Sequence, residues 1–165
     1  MSQRRYFKLQ GDFPRAGLIR RLAAALYDFL LCTAIAMVIT LIYQQGFLRA
    51  IYGSEQLLQM SQAGMLDRDP LLASLVFMGL FGFFALFWTR NGQTLGMQAW
   101  NLRVQNRDGS AISLIQALLR FLVAIPSWLT GGLGFFWMLW SKDQLTWHDS
   151  YSESVVVRLP KKNGN

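Results

Sequence analysis

The 165-residue sequence is poor in the residues that build most metal and redox centres: it has one cysteine, Cys32, and one histidine, His148. A single cysteine excludes an intramolecular disulfide framework. One Cys and one His are too few ligands for a zinc or haem site, so neither a metal nor a cofactor is expected. Charge is scarce as well. Only 15% of the residues are Asp, Glu, Lys or Arg, where a soluble domain carries about a quarter. The chain has no internal repeat and no low-complexity tract. Gln93-Thr-Leu-Gly-Met97 lacks the several glycines and the lysine of a phosphate loop and reads as a turn. Thr146-Trp-His-Asp149 holds a His-Asp pair, but with no nucleophile motif and no second histidine it makes no acid–base centre. The chain is therefore read as a non-enzyme, with His148 and Asp149 anchoring the tail at headgroup level. Nor is a cleavable leader expected: residues 1–21 are polar and basic, and the apolar run after them exceeds a signal core of about 7–15 residues.

What the sequence has in quantity is apolar residues, 53% of the total, and they come in blocks. From Leu22 to Tyr43 the only charge is Asp28, and from Leu71 to Thr89 and from Phe121 to Ser141 there is none. Each block approaches the roughly 20 residues that cross a bilayer core about 30 Å thick. None shows the polar face that a soluble helix repeats every three or four residues. The expected fold is an all-α membrane protein with two full transmembrane helices, at 20–43 and 71–89, and a third, Pro/Gly-broken membrane segment at 114–141. A basic N-terminal segment (1–19), a loop at 44–70, a second loop at 90–113 and a tail at 142–165 complete one membrane domain over 1–165. Leu57, Leu58, Met60, Met65 and Leu66 suit 44–70 to a short interfacial helix or to a loop packed on the bundle. The six tryptophans (Trp88, Trp100, Trp128, Trp137, Trp140 and Trp147) fall near the span boundaries, as an aromatic belt would.

The net charge of +7 lies beside these spans, where it serves orientation and anionic lipid and not nucleic acid. Before Leu22 stand Arg4, Arg5, Lys8, Arg15, Arg20 and Arg21 against Asp12. Residues 90–120 hold Arg90, Arg103, Arg107 and Arg120 against Asp108, whereas 44–70 hold Arg49 and Arg68 against Glu55, Asp67 and Asp69. The positive-inside rule puts the N-terminus and 90–113 in the cytoplasm and 44–70 outside. The tail, with Lys142, Arg158, Lys161 and Lys162, breaks that rule if the third segment crosses fully. Pro126, Gly131, Gly132 and Gly134 allow a kinked crossing, or two half-helices at about 114–127 and 133–141 folded back as a re-entrant hairpin. The hairpin is favoured by a second pattern. Leu102-Arg-Val-Gln-Asn106 alternates in polarity ahead of the turn pair Asp108-Gly109, and Ser154-Val-Val-Val-Arg-Leu159 is β-branched and bounded by Pro160. Pairing of 102–106 with 154–159 would hold the tail on the cytoplasmic side. Ser113 and Gln116 form a capping box opening the helix that follows.

Asp28 is the residue out of place. Seven positions after Arg21, it shares nearly the same side of one helix with it. Steps of four link it to Ala24, Cys32, Ala36 and Thr40, a small or polar stripe flanked by Leu26, Phe29, Leu30, Leu31 and Ile35. Such a stripe lets another helix approach, so Asp28 is expected inside the protein. A carboxylate at the bilayer centre costs about 2.5–3.5 kcal/mol by insertion scales and needs a partner or a proton. Arg21, about 10 Å back along the helix, and Arg120 are the candidates. Two readings stay open: a substrate- or ion-coupled carboxylate, or an ion pair that fixes helix docking.

Arg20-Arg-Leu-Ala-Ala-Ala-Leu-Tyr-Asp28, then Gln93-Thr-Leu-Gly-Met-Gln-Ala-Trp-Asn-Leu-Arg-Val104, then Leu133-Gly-Phe-Phe-Trp-Met-Leu-Trp140 with His148-Asp149 and Val155-Val-Val157 occur in one order and spacing. In that combination, over about 13–160, the chain resembles the RDD family of bacterial membrane proteins, named for one arginine and two aspartates. The resemblance puts the arginine on Arg21, the first aspartate on Asp28 and the second on Asp149. Ser150-Tyr-Ser-Glu-Ser154 departs from a pattern that has a basic residue after His-Asp, which puts a basic contact to Asp149 in doubt. The resemblance implies a bacterial plasma (inner) membrane protein, whose N-terminus the charge count places in the cytoplasm, and a site of Arg21, Asp28 and Asp149, to which the residues themselves add Arg120. The function expected is transport of an unidentified ion or small solute, by a homo-oligomer because two spans and a hairpin enclose no pathway alone. The alternative is a non-transporting scaffold or assembly factor that binds lipid or a partner.

Overall fold

The computed structural model describes residues 5–160, so Arg4, Lys161 and Lys162, counted above for orientation, lie outside the described residues. Helices α1 (Leu18–Leu41) and α3 (Pro70–Arg90) are long and apolar enough to cross a membrane. Both agree with the expected helices at 20–43 and 71–89 to within two residues. The chain packs as two units, one holding the chain up to Phe29 together with that from Phe83 onward, the other Leu30–Gly82.

In the Leu30–Gly82 unit, α1 widens into a π-helical stretch, Ile42–Leu48, and continues as α2 (Arg49–Gln62). Gly53 interrupts α2 with φ at 76°, a left-handed conformation that glycine adopts without a Cβ penalty. The 44–70 segment is thus more helical than a short interfacial element. Tyr43, Leu48 and Leu57 are buried together, with Leu66 and Leu72 against them. The Tyr43 hydroxyl donates to Asp69 Oδ2 at 2.6 Å, and Asp69 Oδ1 accepts from Leu71 N at 2.8 Å. Asp69 thereby caps α3, whose first residue is Pro70, the place in a helix where a missing N–H costs nothing.

The other unit carries the sheet. Strand β1 (Leu102–Asn106) pairs antiparallel with β2 (Ser154–Arg158), Leu102 opposite Arg158 and Asn106 opposite Ser154. This is the expected pairing, one residue shorter. The polar face of β1 is not in water, however: Arg103 and Gln105 are buried along with Leu102 and Val104. The segment before α1 covers them, with the Arg103 guanidinium over the rings of Phe7 and Phe13 at 4.7 and 5.2 Å and its Nη1 donating to Leu9 O at 2.7 Å. The short helix α4 (Leu95–Ala99) precedes β1.

Helix α5 (Leu114–Leu129) opens on the expected capping box, Ser113 N donating to Gln116 Oε1 at 2.9 Å and Gln116 N to Ser113 Oγ at 3.2 Å. Pro126 stays inside α5. The break comes at Gly131 and Gly132, with φ at 70° and 85°, before α6 (Leu133–Phe136) and a 3-10 turn (Trp137–Leu139). The two arms meet at 109°. Helix α7 (Trp147–Tyr151) then leads into β2. Trp88 corrects the aromatic-belt reading: it is buried, its ring under the Arg120 guanidinium at 5.3 Å, whereas Trp128, Trp137 and Trp140 are exposed.

Hydrogen-bonded strands lie on the same side of any bilayer. Cysteines replacing Arg107 and Glu153, one at a time in a Cys32→Ser background, are therefore expected to react with a membrane-impermeant maleimide from the same side. Labelling of the two from opposite sides would be incompatible with the β1–β2 pairing.

Candidate functional site

Thr146 and Asp149 form a capping box at the start of α7, Asp149 N donating to Thr146 Oγ1 at 3.3 Å and Thr146 N to Asp149 Oδ2 at 3.4 Å. This local geometry fixes the Asp149 carboxylate, and two arginines from distant parts of the chain meet it. Arg21, in the first turn of α1, bonds Oδ2 through Nη1. Arg120, in α5, bonds Oδ1 through Nη1 at 2.6 Å and Ser154 Oγ at 2.6 Å. Asp149 is 0% exposed, Arg120 3% and Arg21 4%. Arg21 also donates through Nε to Ala16 O at 3.0 Å and through Nη2 to Val156 O at 3.4 Å. The guanidinium thus ties the approach to α1, strand β2 and α7 together.

Burial alone would raise the Asp149 carboxyl, but the guanidiniums of Arg21 and Arg120 outweigh it and hold it well below the usual carboxylate range. His148 behaves in the opposite sense. Burial, more than the opposing Asp149 charge, takes it from an ordinary 6.5 down to about 3, with Arg120 and Arg21 adding to the effect. Its ring packs edge-on against Phe135 at 4.8 Å. The headgroup-anchor reading of His148 and Asp149 is therefore corrected: both are core groups. The doubt about a basic contact to Asp149 is resolved too, because Arg120 supplies one from α5.

Asp28 is buried, as the small-residue stripe predicts, but its partners are not the expected arginines. Thr94 Oγ1 donates to Asp28 Oδ2, and Gly96 N donates to Oδ1 at 2.9 Å. Thr94 is also the cap of α4, its hydroxyl accepting from Met97 N at 3.2 Å. The Gln93–Met97 turn is thus the other half of the Asp28 site. A Cβ at position 96 would strike Ala24 O and come within 2.8 Å of Asp28 Oδ1, so only glycine lets α4 lie this close to α1. Of the four expected residues, the structure joins Arg21, Asp149 and Arg120 in one cluster and gives Asp28 a separate, neutral shell. Thr94 and Gly96 escaped the sequence reading. The clue to them was a small hydroxyl residue and a glycine two positions apart near a span, matched by Ala24 one turn before Asp28.

Two outcomes follow from this geometry. Gly96→Ala is expected to separate α4 from α1 and lower the yield of folded protein in detergent, while Gly17→Ala, at a glycine with open space around it, leaves the yield unchanged. Second, His148 is protonated in the unfolded chain below about 6.5 but stays neutral in the folded one down to about 3. The unfolded state then binds more protons, and stability falls as pH drops through that window. Asp149 is ionised in both states above about pH 5 and adds no slope there. The thermal midpoint of His148→Gln is expected to vary less between pH 7 and pH 4.5 than that of the unmodified chain. Equal slopes would remove His148 as the cause.

A family model, the RDD family, matches residues 15–153. No curated protein and no solved structure matches the chain.

Proposed function

The chain belongs to the RDD family, and on that premise we propose that it is a multi-pass protein of the bacterial inner membrane that takes part in moving an ion or small solute. The observation that carries this reading is Asp28. It is a buried carboxylate inside a candidate span whose hydrogen-bond donors, Thr94 and Gly96, are both neutral. The two arginines that could have neutralised it are committed to Asp149. An ionisable group in a span is costly, and one kept there without a paired cation points to a function that uses it. In this reading Asp28 takes up a cation or a proton on one step of the cycle and releases it on another.

The topology proposed with it has the N-terminus, the 90–113 loop and the tail in the cytoplasm. It rests on the basic residues of the two former segments, on the β1–β2 pairing that keeps the tail with the loop, and on the 109° turn between α5 and α6, which suits a re-entrant segment. Two helices of spanning length cannot surround a solute, so the working unit proposed is a homo-oligomer, with anionic lipid against the basic cytoplasmic segments. The reading includes no enzymatic step and no cofactor. A second reading, a non-transporting scaffold that binds lipid or a partner protein, draws support from the complete burial of the Arg21–Asp149–Arg120 cluster, which looks built to hold and not to exchange.

Solute and ion flux into proteoliposomes separates the two. Asp28→Asn keeps an acceptor for Gly96 N and removes the charge. It is expected to abolish flux while expression falls far less. Proportional loss of flux and expression, or no flux in the unmodified protein for any cation or small solute tried, would leave the scaffold.

A further inference from the structure

Helix α5 is built inside out. Its polar residues all turn toward the protein: Gln116 Nε2 donates to Asn106 Oδ1 at 2.7 Å and to Ser152 O at 2.9 Å, Arg120 is held by Asp149 and Ser154, and Ser127 is wholly buried. Its exposed side is apolar along the helix, at Leu114, Ile115, Leu118, Leu122, Ile125 and Leu129. The return arm, α6 and the 3-10 turn, continues that surface with Leu133, Trp137 and Leu139, and Trp140 ends it. A large exposed apolar face marks contact with a membrane or with another protein. A protein partner brings a hydrogen bond for about every 100–200 Å² of interface. On this face only the indole N–H groups are there to meet one.

The bend between the arms is also finished from within. Thr130 N donates to Pro126 O at 3.0 Å, Gly131 N to Trp128 O at 3.0 Å and Gly132 N to Ser127 O at 2.8 Å. Thr130 Oγ1 donates to Pro126 O at 2.9 Å. Irregular backbone is kept out of lipid because its polar groups go unpaired there, and these donors are paired. The two ends of the segment meet in water: Arg107, ahead of α5, and Asp143, just past the 3-10 turn, form an exposed ion pair at 3.2 Å. The return arm is short. Its four α-helical and three 3-10 residues, Leu133–Leu139, reach roughly 12 Å, whereas the middle of a bilayer core lies about 15 Å below its surface. A bend tied to Asp143 by that arm stops short of the midplane.

We propose that residues 114–140 insert into a single leaflet, the one on the side of the sheet, and that its acyl chains cover the outer face of α5, the bend and the return arm. Trp137 and Trp140 lie at the headgroup level of that leaflet, and the Arg107–Asp143 pair stands in the water beyond it. This rests on the membrane reading above and deepens it. Lipid, and not a neighbouring helix or a second copy, is what covers the segment, and its depth is limited to half the bilayer. The segment therefore displaces lipid from one leaflet and adds nothing to a path across the other.

The test is the depth of a nitroxide on single cysteines of the full chain, in a Cys32→Ser background, read from its relaxation by oxygen and by a neutral nickel chelate. The vesicles are phosphatidylcholine mixed with phosphatidylglycerol. Cysteines replace Ile115, Leu122, Leu129, Leu133 and Leu139, all at exposed positions. Oxygen contact is expected to exceed nickel contact at Leu122, Leu129 and Leu133. Depth is expected to increase from Ile115 to Leu129, to decrease again by Leu139, and nowhere to pass about 15 Å. Depth that keeps increasing through Leu133 and Leu139 and passes the midplane overturns the proposal in favour of a full crossing. Low contact with both reagents at Leu122 and Leu129 overturns it in favour of a protein partner or a second copy. A label at Leu30, exposed on α1, separates this outcome from the membrane reading itself. Nickel contact throughout 114–140 with Leu30 shielded overturns the one-leaflet insertion alone, and nickel contact at Leu30 as well overturns both. No flux is measured, so the Asp28 experiment is decided independently.

Discussion

The structure of the unit that holds the candidate site depends on one carboxylate. Asp149, with no exposed surface, is held between Arg21 from α1 and Arg120 from α5. Removing ions from water costs several kcal/mol each, and the attraction repays that only when the geometry is good and the remaining donors and acceptors are satisfied. Here most of them are. The Thr146 capping box orients Asp149, Ser154 shares Arg120 Nη1, and Ala16 and Val156 take the remaining bonds of Arg21. The neighbouring contacts repeat the same connections. Ala16 N donates to Val156 O at 3.0 Å and Arg158 N to Pro14 O at 2.9 Å, so the chain entering α1 runs beside β2 as Arg21 requires.

The two aspartates named by the family are held by opposite means. Asp149 lies among cations, which keep it ionised and fixed. Asp28 lies among neutral donors, a hydroxyl and a backbone N–H, which orient a carboxylate without cancelling its charge. Arg21 and Asp28 stand on one face of one helix, about 10 Å apart along its axis. The arginine is used up at the start of α1 and has no reach left for the aspartate. One carboxylate is thus suited to holding helices together, and the other to a change of charge.

The sequence made legible what depends on local pattern. The apolar blocks, the β-branched run Val155–Val157 with its partner at 102–106, and the Ser113/Gln116 box all follow from short-range periodicity or spacing, and all appear in the fold. The pairing of charges was not legible, because it is decided by elements far apart in the chain. Arg120 and Asp28 are both ionisable groups near the start of an apolar run, and nothing in either neighbourhood says that Arg120 goes to Asp149. The burial of Arg103 was not legible for the same reason: the residues that cover it are Phe7 and Phe13, far from it in sequence. Asp69-Pro70 is a different case, a local capping signal in plain view that the charge count absorbed as one more acid in a loop.

How a change at Asp28 would be felt follows from which of its neighbours is free to move. The start of α1 is clamped by four bonds from Arg21 and Ala16 to Asp149, Val156 and the turn before the helix. An α-helix is stiff over two turns, so the Asp28 backbone is held almost as firmly as Arg21. Helix α4 has five residues and meets Asp28 through two bonds, one of them from the same hydroxyl that caps it. If the carboxylate gains a proton or a cation, the acceptor that organises Thr94 and Gly96 weakens, and the fixed end cannot yield. The movement therefore falls on α4, and α4 runs directly into β1, the strand that is paired with the tail. A charge change at Asp28 is in this way connected through α4 to the two-stranded sheet without any shift of α1.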